Sequence, residues 1–203
     1  KNKIVENIVT KEQNVRAVLD KVVSKEVDAG FVYLTDAYQA KDQVEIINVP
    51  DDISVTPTYP IAILKETDDK ELAKAFVDYV TSKEGVEILE KYGFAPNIEN
   101  PKDFSPQSFE GETLVVYAAI SMTDAFEEMA QNLKELTGAE IKFKFASSGD
   151  LVQLIENGAV GGESGADVYA SANLKHMEGL KEKGFVEDFI EFTENKIVVV
   201  VPK

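Results

Sequence analysis

The sequence predicts an α/β fold with mainly parallel sheets and helices on both faces, and three observations carry that expectation. From Thr113 onward, short apolar runs alternate with amphipathic helical patterns, the order that lays strands side by side through helical crossovers. Glycines stand where those helices should stop, at Gly138, Gly158 and Gly184. Two of the strands run straight into serines at which a helix begins. These are Val115-Val116-Tyr117-Ala118-Ala119-Ile120-Ser121-Met122-Thr123 and Phe143-Lys144-Phe145-Ala146-Ser147-Ser148-Gly149-Asp150.

Taken in order, Asn14 to about Lys25 has helical spacing in Val15, Val18, Leu19, Val22 and Val23, with Asn14 placed as a cap. Residues 29–34, 44–49 and 59–64 are apolar runs that read as buried strands. From about Asp69 to Tyr92 the apolar positions Leu72, Ala75, Phe76, Tyr79, Val80, Val86, Ile88 and Leu89 predict one long amphipathic helix, ended by Gly93. Asn97 to Gly111 has Pro101, Pro106 and no periodicity, and reads as a surface linker. Strand 113–119, helix 122–136, strand 140–145, helix 149–157, strand 167–171 and a helix from Asn173 to about Lys183 then alternate. Ile197 to Val201 is the last strand.

With 203 residues the chain can bury a core and form one domain or two small ones. No apolar run approaches the roughly 20 residues that span a bilayer, so no membrane insertion is expected. Lys1 opens no signal peptide, as expected of a mature or trimmed chain. Zero cysteines exclude disulfides, thiolate metal sites and cysteine nucleophiles. A net charge of −16 argues against nucleic acid and anionic membranes as partners. It does not exclude a small anion, because surface charges are screened beyond about 8 Å and backbone amides can hold an anion without a cation.

A helix N-terminus offers free N–H groups and the positive end of the helix dipole, and a serine there adds a hydroxyl donor. Two such termini beyond the carboxyl ends of strands suit a small oxyanion, the place where open α/β sheets bind ligands. A serine opening a helix is in most proteins only a cap. The doubling in consecutive strand–helix units raises Ser121 and Ser148 above that reading. His176, the sole histidine, reads as a solvated helix residue. Without a Gly-x-Ser-x-Gly elbow the sequence argues against a serine hydrolase, and no enzyme activity is expected. Glu66-Thr67-Asp68-Asp69 and Glu127-Glu128 read as helix-start and solvated-face charges without calcium-loop spacing, so no metal site is expected.

Several longer stretches carry a resemblance. VVYAAISMTDAFEEMA, FASSGDLVQLIENGA, ADVYASAN and NKIVVVVPK resemble the N-terminal part of the molybdate/tungstate-binding proteins that feed ABC transporters. NVRAVLDKVVSKEVDAGFVYLTDA, YPIAIL and KYGFAPN resemble their C-terminal part. The resemblance therefore runs in circularly permuted order, and it implies the two-lobed, type II periplasmic binding fold. Residues 55–194 would form the first lobe, contiguous through the 97–111 linker, and 1–54 with 195–203 the second. A middle segment of about forty residues that the family carries in its second lobe has no counterpart here, so that lobe is expected to be incomplete or completed by a second chain. The glycine-rich stretch 160–165 is longer than the family's short link and is expected to be mobile.

The same resemblance implies the ligands. Ser121 and Ser148 would donate hydroxyl and backbone N–H groups, Val15 its backbone N–H and Tyr33 its phenol. Asn14 and Ser147 would support them from behind. Such a donor-only set suits a fully ionised tetrahedral anion, molybdate or tungstate, because the O–H of a protonated anion would face another donor. Arg16, beside the site, reads rather as a structural ion-pair residue. The implied function is capture of that anion for an ABC permease, without a cofactor, in the periplasm or tethered outside a membrane. The alternatives are a sulfate-like anion, or a permuted or swapped scaffold with a weakened site.

Overall fold

The computed structural model describes residues 5–50 and 52–203. Two compact units emerge, Lys1–Val55 with Lys196–Lys203 and Thr56–Asn195. In the smaller, α1 (Val15–Val23) begins at Asn14, whose side chain accepts a hydrogen bond from the Ala17 N–H at 3.0 Å. β1 (Gly30–Tyr33) leads directly into α2 (Leu34–Gln39), and β2 (Val44–Asn48) follows. The two strands do not touch. The last strand, β9 (Ile197–Pro202), lies between them and runs antiparallel to both. Leu19 and Val22 of α1, Ala37 of α2, and Val32, Val44, Val198 and Val200 of the sheet make the core. Phe31 and Ile47 both pair with Val199, point the other way, and are 58 and 46 % exposed. Among the described residues, helices thus cover this sheet on one face and not on both.

The larger unit contains β3 (Thr58–Ile63), α3 (Lys70–Val80), α4 (Lys83–Lys91), β4 (Ala95–Pro96) and β5 (Thr113–Ala119). A 3₁₀ turn at Ile120–Met122 precedes α5 (Thr123–Thr137), β6 (Glu140–Ala146) and α6 (Ser148–Glu156). β7 (Val168–Ala170), α7 (Leu174–Glu182) and β8 (Ile190–Glu194) complete it. The sheet order is β4-β8-β3-β7-β5-β6. Here helices do cover both faces. Leu151 and Ile155 of α6 and Met177 and Leu180 of α7 pack with Val115 and Tyr117. On the opposite face Phe126 of α5 lies 5.7 Å from Phe76 of α3, 6.0 Å from Phe143 and 6.2 Å from Phe192. Each such buried side chain stabilises the unit by about 1.5–3 kcal/mol.

The expectation of mainly parallel sheets is corrected. Only β5–β6 and β5–β7 are parallel; β3–β7, β3–β8, β4–β8 and both pairings of β9 are antiparallel. Helical connections join β7 to β8 through α7 and β3 to β4 through α3 and α4, but β3 lies between β7 and β8, and β8 between β3 and β4, each antiparallel to its neighbours. The alternation of patterns shows the connections and not this interleaving.

The single helix expected over 69–92 is two. The Ser82 hydroxyl donates to the Tyr79 carbonyl at 2.7 Å and accepts from the Gly85 N–H at 3.2 Å, ending one helix and capping the next. A Cβ at Gly85 would stand 2.3 Å from the Tyr79 carbonyl oxygen, so only glycine fits this corner. The 97–111 segment has no regular structure, yet it is not simply a surface linker: Phe109 is buried, and Phe104 meets Tyr79 edge-on at 5.0 Å. The 160–165 stretch is held as well. The Gly161 N–H donates to the Ala166 carbonyl and the Gly162 N–H to the Asp68 carboxylate, and Ser164 accepts from the Tyr117 hydroxyl. Gly161 has φ +61, and a Cβ there would lie 2.4 Å from the Glu66 carbonyl oxygen.

Asp167, buried at the entry to β7, accepts from the Thr67 hydroxyl at 2.7 Å and the Val115 N–H at 2.8 Å. It ties the exit of β3 to the start of β5. Asp167→Ala would strand a buried N–H and a buried hydroxyl, so it should destabilise the protein by about 2–4 kcal/mol. In urea the unfolding midpoint should fall with the denaturant slope unchanged.

Candidate functional site

β5 and β6 run parallel and in register, Ala119 opposite Ala146. Ser121 and Ser148 each stand two residues beyond that pair, so the two serines leave the same sheet edge from neighbouring strands. β7 ends beside them, Ala170 opposite Ala118, with Ser171 next in the chain. Three carboxyl ends of parallel strands thus carry serines on one side of the larger unit.

The two sites differ in their local architecture. Ser121 does not open α5; it lies within the 3₁₀ turn, and α5 has no side-chain cap at Met122. Its residue is 5 % exposed, and its Oγ lies 3.0 Å from the hydroxyl of Tyr59 on β3. Tyr59 in turn receives a hydrogen bond from the Asn195 amide nitrogen at 3.2 Å. The cap of α6 is Ser147, accepting from the Asp150 N–H at 3.2 Å, and Ser148 is the first helical residue. The Ser148 Oγ accepts from the Ala172 N–H at 3.0 Å, and its carbonyl accepts from the Tyr169 hydroxyl at 2.9 Å. Tyr169 also reaches Ser171, whose hydroxyl donates to the Asn173 carbonyl. The sequence reading missed this supporting layer of Tyr59, Asn195, Tyr169 and Ser171. Tyr59 and Tyr169 look like strand aromatics, and nothing in their spacing marks which hydroxyl will meet a serine.

Val15 and Tyr33 belong to the smaller unit. Val15 is the first residue of α1, where an N–H has no acceptor within the helix; Asn14 takes the Ala17 N–H. Tyr33 ends β1 and stands at the N-cap position of α2 without a side-chain cap bond. Arg16 Nε pairs with the buried Asp36 carboxylate at 3.3 Å, joining the first turn of α1 to the first turn of α2. That pair brings the entrance of α1 and the end of β1 to one end of the smaller unit. It also makes Arg16 the structural ion-pair residue expected from its position.

His176 packs its ring near Gly149, within 3.7 Å of where a Cβ would stand, and among the described residues makes no hydrogen bond to either serine. Among the described residues no group of His, Cys, Asp and Glu is arranged to hold a metal ion, and no helix is long and apolar enough to cross a membrane.

Comparison with known proteins agrees with this architecture. The sequence pattern of the bacterial extracellular solute-binding proteins matches residues 1–95 and 114–203. The molybdate-binding protein ModA of Mycobacterium tuberculosis is 40 % identical over 89 residues, 44 % of this chain and 34 % of that protein. The phosphate-binding protein PstS 2 of Streptococcus agalactiae is 26 % identical over 137 residues, 66 % of this chain and 45 % of that protein. The chain thus matches a third to a half of the length of these relatives. Among solved structures, a phosphate-binding protein of a phosphate ABC transporter from Streptococcus pneumoniae superposes with a TM-score of 0.64 at 14 % identity. That superposition covers 97 % of this chain and 75 % of the other.

Burial pushes the Tyr169 phenol up to about 12, against the lowering effect of its bonds to Ser171 and Ser148. The folded state keeps this proton above the ordinary value of 10, so the stability it contributes is whole below pH 10 and is lost as pH rises toward about 12. Unfolding free energy measured across that window should fall for the wild type, and Tyr169→Phe should remove one proton's worth of the slope.

Proposed function

This chain belongs to the bacterial extracellular solute-binding proteins, and from that premise we propose that it captures a tetrahedral oxyanion, molybdate or tungstate, for delivery to an ABC importer. The observation that carries the reading is the pair of serines, Ser121 and Ser148, set at equivalent positions beyond neighbouring parallel strands. A hydroxyl there, with the N–H groups of the following turn, meets a dianion with donors alone. The assignment of Val15 N–H and the Tyr33 hydroxyl to the same anion rests on the family resemblance, as does the supporting role of Asn14 and Ser147. So do the division into two ligand-binding lobes, the permuted order, and a second chain or further segment completing the smaller lobe. A place outside the cytoplasmic membrane, periplasmic or tethered, follows from the same membership.

Phosphate is the second reading, supported by the likeness to phosphate-binding proteins. It fits the serines less well. Phosphate keeps a proton at neutral pH and is best met by a charged acceptor, whereas the groups assigned to the anion here are hydroxyls and N–H groups with no carboxylate among them.

Calorimetric titration with molybdate, tungstate, sulfate and phosphate tests the reading. Molybdate and tungstate should bind at sub-micromolar concentration and phosphate far more weakly. Each hydrogen bond to a charged ligand contributes about 1.5–3 kcal/mol, so Ser121→Ala and Ser148→Ala should each weaken molybdate by about 10- to 100-fold. No heat with any anion from a folded protein would sink the proposal.

A further inference from the structure

We infer that Ser171, the third serine at this sheet edge, is a positioning residue that holds the Ser148 hydroxyl in place for the anion and is not itself a ligand; the inference rests on the oxyanion-binding reading above. Ser171 directly follows β7, which runs parallel to β5, so by its place in the sheet it could serve as a further donor. Burial removes it from that role. Ser171 has no exposed surface, and its Oγ accepts from the Asn173 N–H at 3.0 Å, meets the Asn173 carbonyl at 2.9 Å and lies 3.1 Å from the Tyr169 hydroxyl. A serine hydroxyl has one proton and two lone pairs, so these three neighbours use its capacity.

The buried hydroxyl shapes a turn. One side chain bonds both the N–H and the carbonyl of the residue two positions on, which closes Ser171-Ala172-Asn173 on itself. The Ser171 N–H anchors that turn to β3, donating to the Pro60 carbonyl at 2.9 Å. Between these fixed points lies the Ala172 N–H, which donates to Ser148 Oγ at 3.0 Å. The polarity of this contact is set by the main chain, because an amide N–H only donates. Ser148 Oγ is therefore the acceptor, and among the described residues its own proton has no acceptor. The Tyr169 hydroxyl, beside Ser171 Oγ, donates to the Ser148 carbonyl at 2.9 Å and ties the same turn to the first residue of α6. An anion beyond the strand ends would take up the proton that this arrangement leaves on Ser148.

The test is a double-mutant cycle read by calorimetric titration with sodium molybdate, with a thermal unfolding midpoint for each protein. Ser171→Ala opens the turn and should weaken molybdate about tenfold, both in the wild type and in Ser121→Ala, and by no more than Ser148→Ala does. With Ser148 already alanine the same change should cost less than about twofold, because the hydroxyl it positions is gone. Ser171→Cys fills the buried space with a weaker hydrogen-bonding group, should show the same dependence on Ser148, and carries the test where the alanine variant does not fold. A loss as large in Ser148→Ala as in the wild type, or no loss in the wild type, overturns the inference and leaves Ser171 a structural residue. Molybdate binding that is indifferent to Ser148→Ala overturns it too, with oxyanion binding still standing. A wild type that binds no molybdate removes the functional reading and the inference together.

Discussion

The smaller unit depends on one strand that arrives from the other end of the chain. β1 and β2 are joined through α2 as a crossover would join parallel neighbours, but the space between them is filled by β9. Val198 and Val200 of that strand sit in the middle of the unit's core, against Leu19, Val22 and Val32. Residues 5–50 alone would therefore leave two strands unpaired and a core without its centre. The unit's stability is tied to pairings about 150 to 170 residues apart in sequence, Asn48 with Val198 and Gly30 with Val200 at the extremes, the kind whose loop-closure entropy must be met before any contact forms. β8 ends at Glu194 and β9 begins at Ile197, so the order of the larger unit delivers the strand that completes the smaller one.

In the larger unit the corresponding constraint is the parallel register of β5 with β6. Ala119 opposite Ala146 means that equal numbers of residues beyond each strand bring Ser121 and Ser148 to matching heights. A one-residue slip would move every side chain of a strand to the opposite face, and with it one of the serines. The register is held by the two cores on either side, with Val115 and Tyr117 facing α6 and α7 while Val116 and Phe143 share the face of Phe126. Packing far from the serines thus sets where their hydroxyls stand.

Much of this was legible in the sequence, and the reasons are local. Strand 113–119 was read with its observed bounds because β5 is a continuous apolar run ended by turn residues, as a strand buried on both faces should be. The cap at Asn14 is legible because a short polar side chain stands there before an apolar periodic run. β8 was not, because its sequence IEFTE shows weak alternation and its pairing with β3 is interrupted by an irregularity at Tyr59–Pro60. α2 has only six residues, too few for a helical period to stand out. The break at Ser82 was hidden by apolar spacing that continues in phase through Thr81. At the site, the serines announced themselves through repetition, while Tyr59 and Asn195 are brought together across 136 residues by strand order, which no local pattern encodes.

The charge of the chain and the chemistry proposed for it are reconciled at this same level. With −16 overall, an anion approaches a repelling surface. That repulsion decays over about 8 Å in physiological salt, whereas donor groups act at contact, so the two effects operate at different distances. Arg16, the basic residue nearest the α1 entrance in sequence, is engaged with the buried Asp36, and its charge is used to join two helices. The serines themselves are neutral hydroxyls, so the proposed capture would rest on hydrogen bonds and geometry at contact and not on long-range attraction, and a strongly acidic protein can carry such a site without contradiction.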